Sequence, residues 1–202
     1  IAPAAGGQLA SMLRPIATPL ILGGFEPETI DLISGAFRDA GFMPMAAGTA
    51  PGTQTPVTYG PLREGDAIGV ALASGDIDMG ATGTVTHIDG DRVYAFGHPF
   101  YNLGPAEFPM TRAYVYTILP SLLTSFKISS MGETIGTMRQ DRATAIAGDL
   151  GKGPAMVPIT VTLQRTADTV TPGAPQDTAV RTFKYSVVND QMFTPLIAYV
   201  GL

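Results

Sequence analysis

His98 is the residue of this sequence best suited to acid–base chemistry. It lies in the segment Ala95-Phe96-Gly97-His98-Pro99-Phe100, directly after a predicted strand. A histidine that leaves a rigid strand into a turn can be held in a cleft, which a general base requires. The alternative is a core histidine whose ring nitrogens bond to backbone groups, and the residues alone leave both interpretations open.

Two aspartates are candidates for the acid that would orient this imidazole. Asp190 ends the segment Tyr185-Ser186-Val187-Val188-Asn189-Asp190, where it would hold the ring tautomer and stabilise its cation. The alternative for Asp190 is a turn-capping role together with Asn189. Asp141 is a competitor, although a salt bridge to its sequence neighbours explains it more simply.

A nucleophile of the serine-peptidase kind is missing from the expected place. No serine follows Asp190. Thr194 has a hydroxyl, but the next residue is Pro195, which has no amide proton to donate to an oxyanion. Upstream, Ser121 and Ser125 lie outside any Gly-x-Ser-x-Gly pattern. We therefore expect residues 1–202 alone to lack a competent serine nucleophile.

Metal and cofactor patterns are weak. The spacing His87-x-Asp89-x-Asp91 surrounds a predicted hairpin turn, where polar residues are solvated, and no further ligand is evident. The glycine-rich run 148–153 lacks the Ser or Thr that follows the lysine of a phosphate loop. We expect neither a metal nor a cofactor.

The elements that must position these residues are mostly short strands. The clearest is a hairpin of strands 82–88 and 92–96 around Asp89-Gly90, a dipeptide typical of tight turns. Alternation and turn residues predict further strands, and no helix, after residue 62. These strands lie at 67–73, 112–119, 125–129, 157–165 and 180–188.

The first 48 residues have a different pattern. Strand 19–22 precedes a helix that starts near Pro27, has one apolar face and ends at Gly41, and strand 42–45 follows. We therefore predict a small β-α-β unit at 1–48, a linker at 49–61 and a β domain at 62–202. The fold class is mainly β, a barrel or sandwich of short antiparallel strands.

Composition excludes several classes of protein. The net charge is −5 without a basic run, which argues against nucleic acid binding. No apolar stretch reaches the roughly 20 residues of a membrane helix, and the absence of cysteine excludes thiol chemistry. Only 14% of the residues are charged, so we expect contact with a partner, with a second copy or with other parts of a longer chain. The chain begins without Met, as a processed or fragmentary product would.

An ordered set of segments resembles the SpoIVB-type serine peptidase family, over residues 62–165 and more loosely to 190. The segments are Gly65-Asp66-Ala67-Ile68-Gly69-Val70, Gly80-Ala81-Thr82-Gly83-Thr84-Val85, the hairpin, Ala95-Phe96-Gly97-His98, Glu133-Thr134-Ile135-Gly136-Thr137 and Ala145-Ile146-Ala147-Gly148-Asp149-Leu150-Gly151. The resemblance implies a trypsin-like or related fold and a Ser-His-Asp triad that cleaves peptide bonds. His98 matches the family's base, and Asp190 stands in the place of its acid. The family's Ser-Gly-Ser-Pro stretch is absent.

The expected function is therefore that of a SpoIVB-like serine endopeptidase domain, incomplete here because the nucleophile segment is absent. The alternative is a non-catalytic scaffold, assembly or binding domain that keeps the peptidase-like fold. The resemblance also implies a bacterial protein that is secreted or in the cell envelope, with a protein or peptide as substrate or partner.

Overall fold

The computed structural model describes residues 18–47, 60–120, 125–164 and 180–201, and this part of the chain is mainly β. Most of the predicted linker 49–61 and Ser121 lie outside the described residues. The elements are β1 (Thr18–Gly23), α1 (Pro27–Asp39), β2 (Phe42–Ala46), β3 (Ala67–Gly75), β4 (Asp78–Asp89), β5 (Arg92–Ala95), β6 (Gly104–Leu119), β7 (Phe126–Arg142), β8 (Ala145–Leu150), β9 (Met156–Gln164), β10 (Val180–Val188) and α2 (Phe193–Val200).

The predicted order of strand, helix and strand is confirmed within residues 18–46. Strands β1 and β2 pair in parallel, and α1 connects them with Pro27 in its first turn and Ile30, Ile33 and Phe37 buried. Proline fits there because the first amides of a helix have no partner within the helix. Strand β1 also pairs antiparallel with β4, so the unit and the later strands share one sheet.

The ten strands are hydrogen-bonded in the order β2-β1-β4-β5-β8-β7-β6-β3-β10-β9, with an additional pairing between β3 and β4. Six strands therefore form a closed circuit of antiparallel pairs, in the order β3, β4, β5, β8, β7 and β6. The pair β1 and β2 extends from β4, and the pair β10 and β9 extends from β3. The part of the chain described here contains no helix both long and apolar enough to cross a membrane.

The predicted hairpin is confirmed, with its turn one residue later. Asp89 pairs with Arg92, so Gly90 and Asp91 are the central residues. Gly90 has φ +59°, whereas Asp91 is not left-handed, as in a type II′ turn rather than a type I′ turn. Strand β5 then leads to the segment that carries His98.

The prediction that no helix follows residue 62 is wrong. Helix α2 begins at Phe193 and buries Phe193, Ile197 and Val200, which share one helical face. Pro195 lies in the first turn of α2, where proline removes no hydrogen bond from the helix. A helix of 8 residues is too short for its periodicity to be convincing in the sequence.

Candidate functional site

The segment between β5 and His98 has an unusual backbone. Phe96 has φ +77° and Gly97 has φ +73°, so two successive residues are left-handed. This conformation is uncommon for a bulky residue and persists only where surrounding contacts enforce it. The Phe96 ring lies against Gly83, where an added Cβ would be 2.2 Å from Phe96 Cδ1. The centroids of the Phe96 and His98 rings are 5.6 Å apart.

The tautomer of His98 follows from its hydrogen bond. Nδ1 lies 2.7 Å from the carbonyl oxygen of Pro99. Because a carbonyl only accepts, Nδ1 carries the proton and donates it, and in the neutral ring Nε2 holds the lone pair. Among the described residues Nε2 has no hydrogen-bond partner. This is the tautomer that a general base needs.

Asp141 organises the loop that follows His98. Its side chain is 0% exposed and accepts three backbone N–H bonds, from Phe100 at 2.8 Å, Tyr101 at 2.7 Å and Leu103 at 3.0 Å. The predicted salt bridge to its sequence neighbours is wrong, because β7 directs the carboxylate inward while Arg142 bonds to Gln140 at 2.9 Å. Asp141 therefore positions the backbone of this loop.

Asp190 caps the turn before α2. Its Oδ1 accepts from the amides of Met192 at 2.8 Å and Phe193 at 2.9 Å, and its own amide donates to Thr194 Oγ1 at 2.8 Å. Within the described ranges no hydrogen bond joins Asp190 to His98. The turn-capping alternative thus accounts for the contacts of Asp190, and its role as the acid of a triad stays a prediction.

Replacing Asp190 tests these two roles. We expect Asp190→Ala to lower the free energy of unfolding by about 1 kcal/mol through loss of the cap, with the ring resonances of His98 unchanged in NMR spectra. Asp190→Asn is the matched control, because its side-chain oxygen still accepts an amide proton. A displaced His98 ring resonance in both variants would instead place Asp190 at the site.

His98 lines a cavity of about 250 Å³. The cavity lies between β1, the middle of β4 and the first residues of β7, and it brings Ser125 to the same space as His98. Its lining residues are Pro19, Ile21, Thr82, Gly83, Thr84, Phe96, His98, Ser125, Phe126 and Lys127.

Lys127 is a cavity residue that the sequence reasoning missed. Its ammonium group donates a hydrogen bond of 2.7 Å to Thr84 Oγ1, and partial burial lowers the pKa of Lys127. Two residues further along β7, Ser129 Oγ lies 2.8 Å from Thr82 Oγ1. The period of two in a strand places residues 127 and 129 on one face of β7, and this alternation was the available signal.

The spacing His87-x-Asp89-x-Asp91 forms no group of metal ligands among the described residues. His87 Nδ1 lies 2.6 Å from Glu64 Oε1, and this hydrogen bond is the main cause that lowers the pKa of Glu64. In the described part of the chain, no three acidic, His or Cys side chains form a metal-binding group.

A larger cavity of about 400 Å³ lies beside β5, β7 and β8 and contains none of the predicted site residues. Two of its arginines, Arg92 and Arg139, have Asp149 as an ion-pair partner at 3.5 and 3.7 Å. These groups are well exposed, and exposed pairs of this kind contribute little energy. The cavity beside His98 is therefore the better candidate site.

No family model, curated protein or solved structure matches this chain.

Proposed function

We propose that this chain is a SpoIVB-like serine endopeptidase domain in which His98 is the general base. The resemblance of the ordered segments around His98 supports this proposal. The closed circuit of six antiparallel strands supports its structural counterpart, a trypsin-like or related β-barrel. The 202 residues contain His98 as the base but do not contain the family's Ser-Gly-Ser-Pro segment.

The observation that carries the proposal is the fixed tautomer of His98 beside a cavity. The Pro99 carbonyl holds the Nδ1 proton, as a carboxylate does in a catalytic triad, and leaves the Nε2 lone pair for a substrate or nucleophile proton. A neutral carbonyl stabilises an imidazolium less than a carboxylate does.

The same contacts favour a second candidate, a non-catalytic scaffold or binding domain. The carboxylates of Asp141 and Asp190 both accept backbone amides, and neither bonds to His98 in the described residues. In this alternative the cavity binds a segment of a protein or peptide without cleaving it. For both candidates we propose a bacterial protein of the cell envelope or the extracellular space.

A serine-directed fluorophosphonate probe distinguishes the two candidates. The probe forms a covalent bond only with a hydroxyl that a nearby base has activated. We expect no labelling of residues 1–202 and no peptide hydrolysis by them. For the polypeptide as it occurs naturally, the endopeptidase proposal predicts labelling. The His98→Ala variant of the same polypeptide should not be labelled. The matched control is His87→Ala, which removes the exposed histidine bound to Glu64.

The outcomes separate clearly. Absence of labelling in the natural polypeptide, with peptide binding retained, supports the scaffold candidate. Labelling of residues 1–202 that His98→Ala abolishes would contradict the proposal as stated. It would identify Ser125, which shares the cavity with His98, or Ser121 as the nucleophile.

A further inference from the structure

Lys127 places a positive charge at the wall of the cavity beside His98. Its side chain is half-buried on β7. The hydrogen bond to Thr84 Oγ1, at 2.7 Å, joins it to a neutral hydroxyl. No Asp or Glu is among the described residues that line this cavity, and none forms an ion pair with Lys127 there. The ammonium group thus lacks an anionic partner within the described structure.

This arrangement has an energetic cost that a ligand can remove. A charge taken out of water without an opposite charge is destabilised, and buried charges in proteins are normally paired. The lowered pKa of Lys127, caused by burial, reflects that cost. An anion bound in the cavity would stabilise the ammonium form.

Thr84 can take part in binding the same anion. Its oxygen accepts a hydrogen bond from the Lys127 ammonium group, and the hydroxyl has one O–H of its own to donate. The Lys127 ammonium group and the Thr84 hydroxyl therefore offer two hydrogen-bond donors that lie next to each other. The two oxygens of a carboxylate match such a pair.

The size of the cavity limits what accompanies the anion. Its volume, about 250 Å³, is below the roughly 300–1,000 Å³ of sites for drug-sized ligands. Pro19, Ile21 and Phe126 supply apolar wall. These walls suit one small apolar group beside a carboxylate rather than several residues of a peptide.

We propose that this cavity binds a carboxylate group of a peptide through Lys127 and Thr84. The inference rests on the proposed function, in which the cavity receives a segment of polypeptide. The carboxylate belongs either to the peptide's C-terminus or to an acidic side chain. In both sources the group that Lys127 recognises is the same.

Titration of residues 1–202 with short peptides tests the inference. The probes are N-acetyl-Ala-Ala-Val as the free acid and as the C-terminal amide, and N-acetyl-Ala-Glu-Ala amide with its Gln counterpart. Binding is measured by calorimetry, and its location by NMR, where the His98 ring resonances should move and those of His87 should not. We expect one carboxylate peptide to bind about tenfold or more tightly than its neutral counterpart, as a charge-assisted hydrogen bond predicts.

Variants assign the effect to its residues. Lys127→Met removes the ammonium group from an unbranched side chain and should abolish the preference for the carboxylate. Lys152 is an exposed lysine between β8 and β9, and Lys152→Met should retain the preference. Thr84→Val should reduce the preference and provides a second test if Lys127→Met does not fold. If the preference for the free acid over the amide disappears in Lys127→Met, Lys127 binds the C-terminal carboxylate. If the preference for Glu over Gln disappears, Lys127 binds an acidic side chain.

Two results would overturn the inference, and they are distinguishable. Equal affinity for acid and neutral peptides, unchanged in Lys127→Met, would remove the role of Lys127 and leave the proposed function standing. Absence of binding by all four peptides, with His98 resonances unmoved, would contradict both proposals.

Discussion

Asp141→Ala is expected to lower the free energy of unfolding by about 3 to 5 kcal/mol and to disorder the loop after His98. The buried carboxylate accepts the amides of Phe100, Tyr101 and Leu103. Alanine would leave three N–H donors without an acceptor, and each unsatisfied buried donor costs about 1–3 kcal/mol. Movement of the loop towards water would recover part of this loss, so the total lies below the simple sum.

Denaturant unfolding measures the change in stability, and the NMR signals of residues 98–103 report the order of the loop. The matched control is Asp149→Ala, which removes the exposed ion pairs with Arg92 and Arg139 and should cost less than about 1 kcal/mol. Asp141→Asn keeps one acceptor oxygen and should fall between the two. If Asp141→Ala changed stability no more than Asp149→Ala, Asp141 would not be the residue that holds this loop.

Gly83→Ala is expected to be the second large effect, a loss of about 2 to 3 kcal/mol together with a displaced His98 ring. An added Cβ would lie 2.2, 2.6 and 2.7 Å from three atoms of the Phe96 ring. Overpacking a closely packed site typically costs about 1–3 kcal/mol. Phe96 can yield little, because its left-handed backbone, with φ +77°, depends on the contacts around it.

Gly35→Ala is the matched control for this substitution. Gly35 lies in the middle of α1, and an added Cβ there meets nothing within 4 Å. Alanine is the better helix former, so we expect a gain of about 0.5–1 kcal/mol. The two Gly→Ala substitutions should therefore have opposite signs in denaturant unfolding. Unchanged stability and unchanged His98 resonances in Gly83→Ala would mean that Phe96 moves aside freely.

Local patterns in the sequence determined much of the fold. The hairpin of β4 and β5, the unit of β1, α1 and β2, and the strands on either side of the residue 165–179 segment all follow from short-range signals. Alternation, proline at a helix start and glycine in a tight turn act within a few residues of each other. The position of His98 directly after a strand was predictable for the same reason.

Only the tertiary structure decided what the polar residues do. Asp141 bonds to Phe100 across 41 positions of the chain, and Lys127 bonds to Thr84 across 43. Such contacts depend on which strands become neighbours. The pairings of β3 with β6 and of β5 with β8, which complete the six-strand circuit, join strands that are far apart in the sequence, and alternation within a strand does not indicate its partner. The chemistry of a carboxylate or an ammonium group determines which hydrogen bonds and ion pairs it can form. The packing of the strands determines which residue becomes its partner. His98 could therefore be identified from the sequence, but the carbonyl that sets its tautomer and the lysine beside its cavity required the folded chain.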